Sequence, residues 1–143
     1  AEETTNVLNG GRLRTGDVGY LDEDGYLFIV DRIKELILSG GFNVYPRMVE
    51  EAICTHLDVK EAAVCGVPDP HRGEIVKAFV ILKQGQGLKS GSLRAYLKDK
   101  LAPFQMPRQI EFRDDLPRTF MGKLSKKDLK ANEVDSHEAE KTA

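Results

Sequence analysis

Apolar positions in the first third of the chain come in short runs cut by glycine and acidic residues. Val18-Gly19-Tyr20-Leu21 and Tyr26-Leu27-Phe28-Ile29-Val30 flank Asp22-Glu23-Asp24-Gly25. Two apolar runs joined by a short Asp/Gly turn predict a β-hairpin. The charged stretch Asp31-Arg32-Ile33-Lys34-Glu35 follows, and Leu36-Ile37-Leu38 then runs into Ser39-Gly40-Gly41. Adjacent glycines after an apolar run predict a tight turn, here leading to a short extended piece, Phe42-Asn43-Val44-Tyr45. Pro46 suits the first position of a helix. Met48, Val49, Ala52, Ile53 and Leu57 then share one helical face, with Glu50 and Glu51 off it.

Further on, residues 61–67 read as a strand stopped by Pro68-Asp69-Pro70, with His71-Arg72-Gly73-Glu74 completing the loop. Residues 75–82 are almost continuously apolar around Lys77, which predicts a well-buried strand. Ser90 or Ser92 is placed to cap a helix whose Leu93, Tyr96, Leu97 and Leu101 share a face. Residues 109–113 alternate, with Ile110 and Phe112 on one side, as a strand does. Ser125, with Asp128 three residues on, caps a last short helix, and a polar, charged tail begins at Asn132. The order predicts an α+β fold: a small mixed or antiparallel sheet with helices packed on it, preceded by a hairpin. The charged stretch 31–35 is the natural boundary between hairpin and layered part.

Composition narrows the function. A chain of 143 residues suits one domain and needs no disulfide or metal staple. Lys plus Arg number 21 against 23 Asp plus Glu, a net charge of −2, which points to neither nucleic acid nor a polybasic membrane anchor. No apolar run reaches the ~20 residues of a membrane helix. The acidic start is no secretory signal, and the missing initiator methionine suggests a fragment or processed chain. Cys54 and Cys65 form no CxxC and the histidines are scattered, so neither a zinc site nor a disulfide framework is expected.

Three places are candidates for chemistry: Thr15-Gly16-Asp17, Arg32 and Lys34 before the glycine turn, and the loop Pro117-Arg118-Thr119-Phe120-Met121-Gly122-Lys123. Singly, each has a plainer reading. The first is a turn, the second a surface ion-pair cluster with Asp31 and Glu35, and the third carries a solvated lysine. In order they say more. Arg14-Thr15-Gly16-Asp17, then Ile29-Val30-Asp31-Arg32-Ile33-Lys34-Glu35-Leu36-Ile37, then Ser39-Gly40-Gly41-Phe42-Asn43-Val44-Tyr45-Pro46 closely resemble the acyl-adenylate-forming enzymes. These comprise acyl-CoA synthetases, aryl-CoA ligases, luciferases and peptide-synthetase adenylation domains. Pro68-Asp69 with Gly73-Glu74, and Leu116-Pro117 with Gly122-Lys123-Leu124, extend the resemblance over about residues 5–130. The wording from Gly41 to Pro46 is most similar to bacterial long- and medium-chain fatty acid–CoA ligases.

The resemblance implies a division into the end of a large AMP-binding domain (1–33), a C-terminal lid domain (34–131) and a disordered tail (132–143). It implies that Asp17 and Arg32 bind ATP or AMP, that Lys34 is the hinge, and that Ser39, Gly40 and Gly41 line the CoA pantetheine tunnel. It makes Lys123 the catalytic lysine of adenylation, a position where relatives can be acetylated. ATP and CoA are the implied substrates, with Mg accompanying ATP through ligands outside this chain. The implied partners are the enzyme's own N-terminal AMP-binding domain and a fatty acid. The implied compartment is the cytoplasm, with peripheral membrane association left open. Arg12, where many relatives carry an aromatic residue, and the bulky Phe120-Met121 depart from the family pattern. The phosphate loop and acyl pocket are absent, so the chain is expected to be inactive alone. A non-catalytic lid or interaction module, and the lid of an aryl-CoA ligase or carrier-protein adenylation domain, are the alternatives.

Overall fold

In the computed structural model, which describes residues 2–133, the centre is a long antiparallel pair. β7 (Val59–Asp69) and β8 (Gly73–Leu82) pair from Val59↔Leu82 to Asp69↔Gly73. Pro68 and Asp69, expected to end the strand, stay inside it opposite Glu74 and Gly73. A tight hairpin turn keeps them in register, and Gly73 takes the positive φ (77°) that it needs.

The other edge of β8 is shared. β5 (Ile37–Ser39) meets its start at Gly73, and β9 (Gln109–Phe112) runs parallel along Lys77 to Val80. β6 (Phe42–Val44) pairs with β5 at the outer edge. The sheet is therefore mixed, as expected, with helices α2 (Pro46–Cys54) and α3 (Ser90–Leu97) on it.

Alternation in β7 and β8 feeds two cores. Val64, Val76, Ala78 and Val80 face Val49 and Ile53 of α2 and Leu93 and Leu97 of α3. Ala63, Cys65, Ile75, Phe79 and Ile81 face the opposite way, against Leu116 and Leu129. Leu129 belongs to a last helix, α4, described over 126–133. Burial on both faces explains the near-continuous apolar run of 75–82.

Two helix boundaries differ in detail from the sequence reading. α2 ends at Cys54, so Leu57 falls in the following turn and is exposed. α3 begins at Ser90 with Lys89 at the cap position and no side-chain cap, so neither serine caps it. α4 starts as expected: the Asp128 N–H donates to Ser125 Oγ at 3.4 Å. Asn132 and Glu133, placed by sequence in the tail, are helical, and Glu133 is buried. The rest of the expected tail, 134–143, lies outside the described residues.

Ahead of the sheet, helix α1 (Glu2–Val7) and the short strands β1 (Leu8–Asn9) and β2 (Arg12–Leu13) precede the expected hairpin. That hairpin is β3 (Asp17–Leu21) with β4 (Leu27–Arg32). Its turn is held by Asp22 Oδ1, which accepts the N–H groups of Asp24 and Tyr26 at 3.1 and 2.8 Å. Tyr20, Leu21, Tyr26, Leu27, Phe28 and Ile29 are all exposed. A two-stranded ribbon with apolar side chains left in water is marginal by itself.

Lys77 breaks the apolar run for a reason. Its ammonium meets Glu133 at 2.5 Å and Glu111 at 2.9 Å, tying α4 and β9 to the sheet centre. Burial opposes its charge, but the two carboxylates outweigh that and hold its pKa above the ordinary value. Glu111 is likewise disfavoured by burial, yet Arg113 and Lys77 hold its carboxyl below the usual 4.5. A depressed carboxyl contributes stability above its unfolded pKa and loses it as pH falls through the folded one. Glu133→Ala should cost about 2 kcal/mol in urea unfolding at pH 7, because the buried ammonium loses one of its two carboxylates and keeps only Glu111. Lys77→Met combined with Glu133→Leu should recover most of that loss.

Candidate functional site

Asp17 and Arg32 are cross-strand partners in β3–β4, which brings carboxylate and guanidinium to 3.4 Å. Opposite charges directly across a ribbon attract. The Asp17 N–H donates to Thr15 Oγ1 at 3.2 Å, and Gly16 adopts φ 77°. The plain turn is present, at the start of β3.

After Arg32 the chain makes a short 3₁₀ turn, Ile33–Glu35. The Ile33 N–H donates to the Gly16 carbonyl at 2.9 Å, which fastens Ile33 to the hairpin. The Glu35 carboxylate meets Lys126 at 2.8 Å, which fastens Glu35 to the start of α4. The exposed Lys34 is the residue between these two anchors. Lys126 also meets Glu50 of α2 at 2.8 Å, and Glu50 accepts the Val64 N–H at 2.8 Å. Burial disfavours the Lys126 charge, but Glu50 and Glu35 outweigh it and hold the pKa above the ordinary 10.5. The Lys126 charge therefore persists through neutral pH, and its contribution is lost as pH rises through the raised pKa.

Three residues before Lys126, Lys123 sits on a closed turn. The Thr119 N–H donates to the Lys123 carbonyl at 2.6 Å, and the Gly122 N–H donates to the Thr119 carbonyl at 2.8 Å. Ser125 N–H to Pro117 O, at 2.8 Å, seals the base, and Arg118 pairs with Glu61 of β7 at 2.6 Å. Gly122 takes φ 79°, a backbone shape that side chains resist. Lys123 is exposed, and so are Phe120 and Met121 at the tip.

Two clefts run beside these parts. One, of about 640 Å³, is lined by Lys34, Glu35, Glu50, Thr119, Leu124 and Lys126 among others. The other, of about 350 Å³, includes Asp17, Asp31 and Arg32. Both include Glu35, Glu50 and Lys126, so they adjoin. Cys65 lines the larger cleft, but burial pushes its thiol up to about 11, so it stays neutral and unreactive at physiological pH.

Ser39, Gly40 and Gly41 line neither cleft. Gly40 and Gly41 form a two-residue turn with φ 58° and 84°, closing the Ser39↔Phe42 pair. The turn rests on the β7–β8 hairpin: the Gly40 N–H donates to the Arg72 carbonyl at 3.0 Å. Phe42 stacks on Phe104 with centroids 4.9 Å apart. The structure thus gathers Asp17, Arg32, Lys34 and the Lys123 turn around adjoining clefts and keeps the glycine turn apart. Sequence reasoning missed Lys126, Glu50 and the separate uses of Asp31 and Glu35. The unlike-charge spacing in 31–35 was the available signal. Among the described residues no group of three His, Cys, Asp or Glu side chains stands close enough to hold a metal ion.

Sheet and helices together define an α+β domain preceded by a hairpin. The chain belongs to the AMP-binding enzyme C-terminal domain family, whose model matches residues 48–123. It is 48% identical over 136 residues to a long-chain-fatty-acid–CoA ligase of Bacillus subtilis (strain 168), covering 95% of this chain and 24% of that protein. It is 46% identical over 129 residues to a 2-succinylbenzoate–CoA ligase of Geobacillus kaustophilus (strain HTA426), covering 90% of this chain and 26% of that protein. The chain spans about a quarter of the length of these relatives. Its backbone matches ATP-bound MatB from Rhodopseudomonas palustris with TM-score 0.85 at 39% identity, and apo MatB with 0.74 at 40%. Each match covers 92% of this chain and 26% of that one.

If Glu35 moves with α4, a double-mutant cycle of Glu35→Gln and Lys126→Met in thermal unfolding should give a coupling of about 1 kcal/mol. Zero coupling would leave Glu35 free to follow the hairpin.

Proposed function

We infer that this chain is the C-terminal part of an AMP-forming acid–thiol ligase and that the acid is a fatty acid. Residues 1–33 are the end of the large domain and 34–131 the body of the lid. The observation that carries this reading is the one-residue gap at Lys34. Upstream, Ile33 is fastened to the hairpin; downstream, Glu35 is fastened to the helix that follows Lys123. A hinge needs only a residue free to absorb a change of φ/ψ between two fixed bodies.

In this reading Asp17 accepts the ribose hydroxyls of ATP, and Arg32 beside it reaches the nucleotide. An ionised carboxylate taking O–H donors fixes geometry as well as adding energy. A fatty acid carboxylate oxygen attacks the α-phosphorus, and the bond to pyrophosphate breaks. Lys123 stands between two groups of like charge and offsets their repulsion. The effect is about 4 kcal/mol for a charge about 4 Å away at an effective dielectric near 20. In the second step the CoA thiol attacks the acyl carbon and AMP leaves, with Ser39, Gly40 and Gly41 lining the passage of the pantetheine arm. Glycine there lets the arm pass close to the backbone. Mg, expected with ATP, has no donor set among the described residues.

Three further findings support the reading. The Lys123 turn opens on a cleft that adjoins the Asp17–Arg32 pair, while the glycine turn lies elsewhere, as two alternating steps require. The backbone lies closer to the ATP-bound than to the apo form of MatB. The exposed apolar ribbon fits a partner in the upstream N-terminal domain of the same polypeptide. The fatty acid preference rests on the Gly41–Pro46 wording and the Bacillus subtilis relative. The 2-succinylbenzoate–CoA ligase relative favours a second reading, the lid of an aryl-CoA ligase. The enzyme works in the cytoplasm, and this chain by itself is inactive.

Lys123→Ala in the parent enzyme should slow acyl-AMP formation about 10²–10³-fold. It should spare thioester formation from supplied acyl-AMP. Equal loss in both half-reactions would sink the assignment. Rates with long-chain fatty acid against succinylbenzoate decide between the two substrates. The isolated chain should release no AMP with ATP and acid.

A further inference from the structure

Asp31 lies just before the turn that carries Lys34, yet it serves a helix beyond that turn. It is buried, at 6% exposure. Its Oδ1 accepts the Arg32 N–H at 2.8 Å, and its Oδ2 accepts the Arg47 N–H at 3.0 Å. Arg47 is in the first turn of α2, where backbone N–H groups have no partner within the helix. Tyr45, at the cap position, offers no side-chain cap. α2 therefore takes its cap from β4. A carboxylate at that place is favoured by the hydrogen bond and by the positive end of the helix dipole.

The two partners stand on opposite sides of Lys34. Asp31 pairs with Val18 in the β3–β4 ribbon, and the ribbon holds Ile33 through Gly16. α2 is bound to the other side, since its Glu50 shares Lys126 with Glu35. Rotation confined to Lys34 must draw Arg47 away from Asp31. The helix then loses its cap, and a buried carboxylate loses a donor, which is costly unless water or another group replaces it.

We propose that Asp31 is a latch: a positioning residue that holds the lid on the hairpin in the arrangement seen here and lets go before the lid turns. The proposal rests on reading Lys34 as the hinge and Lys123 as the adenylation lysine. In the latched arrangement Thr119 and Leu124 of the Lys123 turn, and no residue of the glycine turn, line the cleft that adjoins the one holding Asp17 and Arg32. The latch therefore favours adenylation over thioester formation.

The test measures both half-reactions in the parent enzyme by rapid quench, using ATP with fatty acid for the first and supplied acyl-AMP with CoA for the second. Asp31→Ala should slow adenylation about tenfold while the thioester step holds or quickens, a size set by the loss of one helix cap. Asp31→Asn keeps an acceptor oxygen but not the charge, so it should shift the ratio the same way by about threefold. A purely structural residue would slow both steps alike, and that result, or no change in the ratio, overturns the latch. If the alanine variant fails to fold, the asparagine ratio decides by the same rule. Lys123→Ala run alongside separates the failures. If it does not slow adenylation selectively, the site reading fails and the latch falls with it; if it does and Asp31→Ala shifts nothing, only the latch falls.

Discussion

The ammonium of Lys126 joins the parts of this chain that the chemistry would use. It binds Glu35 in the turn after the hairpin and Glu50 on α2, and it begins the helix that follows Lys123. Glu50 passes the connection on to the β7 backbone at Val64. Withdrawing a charge from water is expensive unless its partners are close and their own hydrogen bonds are met. Here both carboxylates lie at 2.8 Å, so the triad works as a fixed joint. The turn, the sheet and the lysine-bearing loop are thereby held in one frame.

That joint ends at Glu35, and the hairpin's hold ends at Ile33. In the proposed reading the pivot is confined to Lys34, which is exposed. The Lys123 turn and the Gly40–Gly41 turn ride on the same rigid frame but at different places on it. A single pivot could therefore present one and then the other to a common site. Closed hydrogen bonding within the Lys123 turn fixes the backbone that carries the lysine.

Much of this was legible along the chain because the signals are local. Asp22 to Gly25 marked the hairpin turn, Pro46 marked the start of α2, and Ser125 with Asp128 marked α4. The failures came where distant parts decide. A polar amino-terminal stretch without periodicity hid α1. Lys89, with no side-chain cap, starts α3 because packing of Leu93 and Leu97 outweighs a missing cap. The charged stretch 31–35 reads as one surface cluster, yet its members part company. Arg32 turns to Asp17, Asp31 to α2, and Glu35 to Lys126, 91 positions away. Lys77 and Glu133 are 56 positions apart, so nothing local pairs them. For the candidate site, residue types and order were readable through the family resemblance, while the anchors that isolate Lys34 were not.

The claim that one pivot at Lys34 serves two arrangements is tested most directly by a distance. Spin labels placed in the parent enzyme at Glu23, in the hairpin turn, and at Thr119, in the lysine turn, would report it by pulsed electron resonance. The account predicts one distance with ATP bound and a clearly different one with acyl-AMP and CoA, both collapsing to a single value when Lys34 is replaced by proline. The same distance under every condition in the unsubstituted enzyme would contradict it.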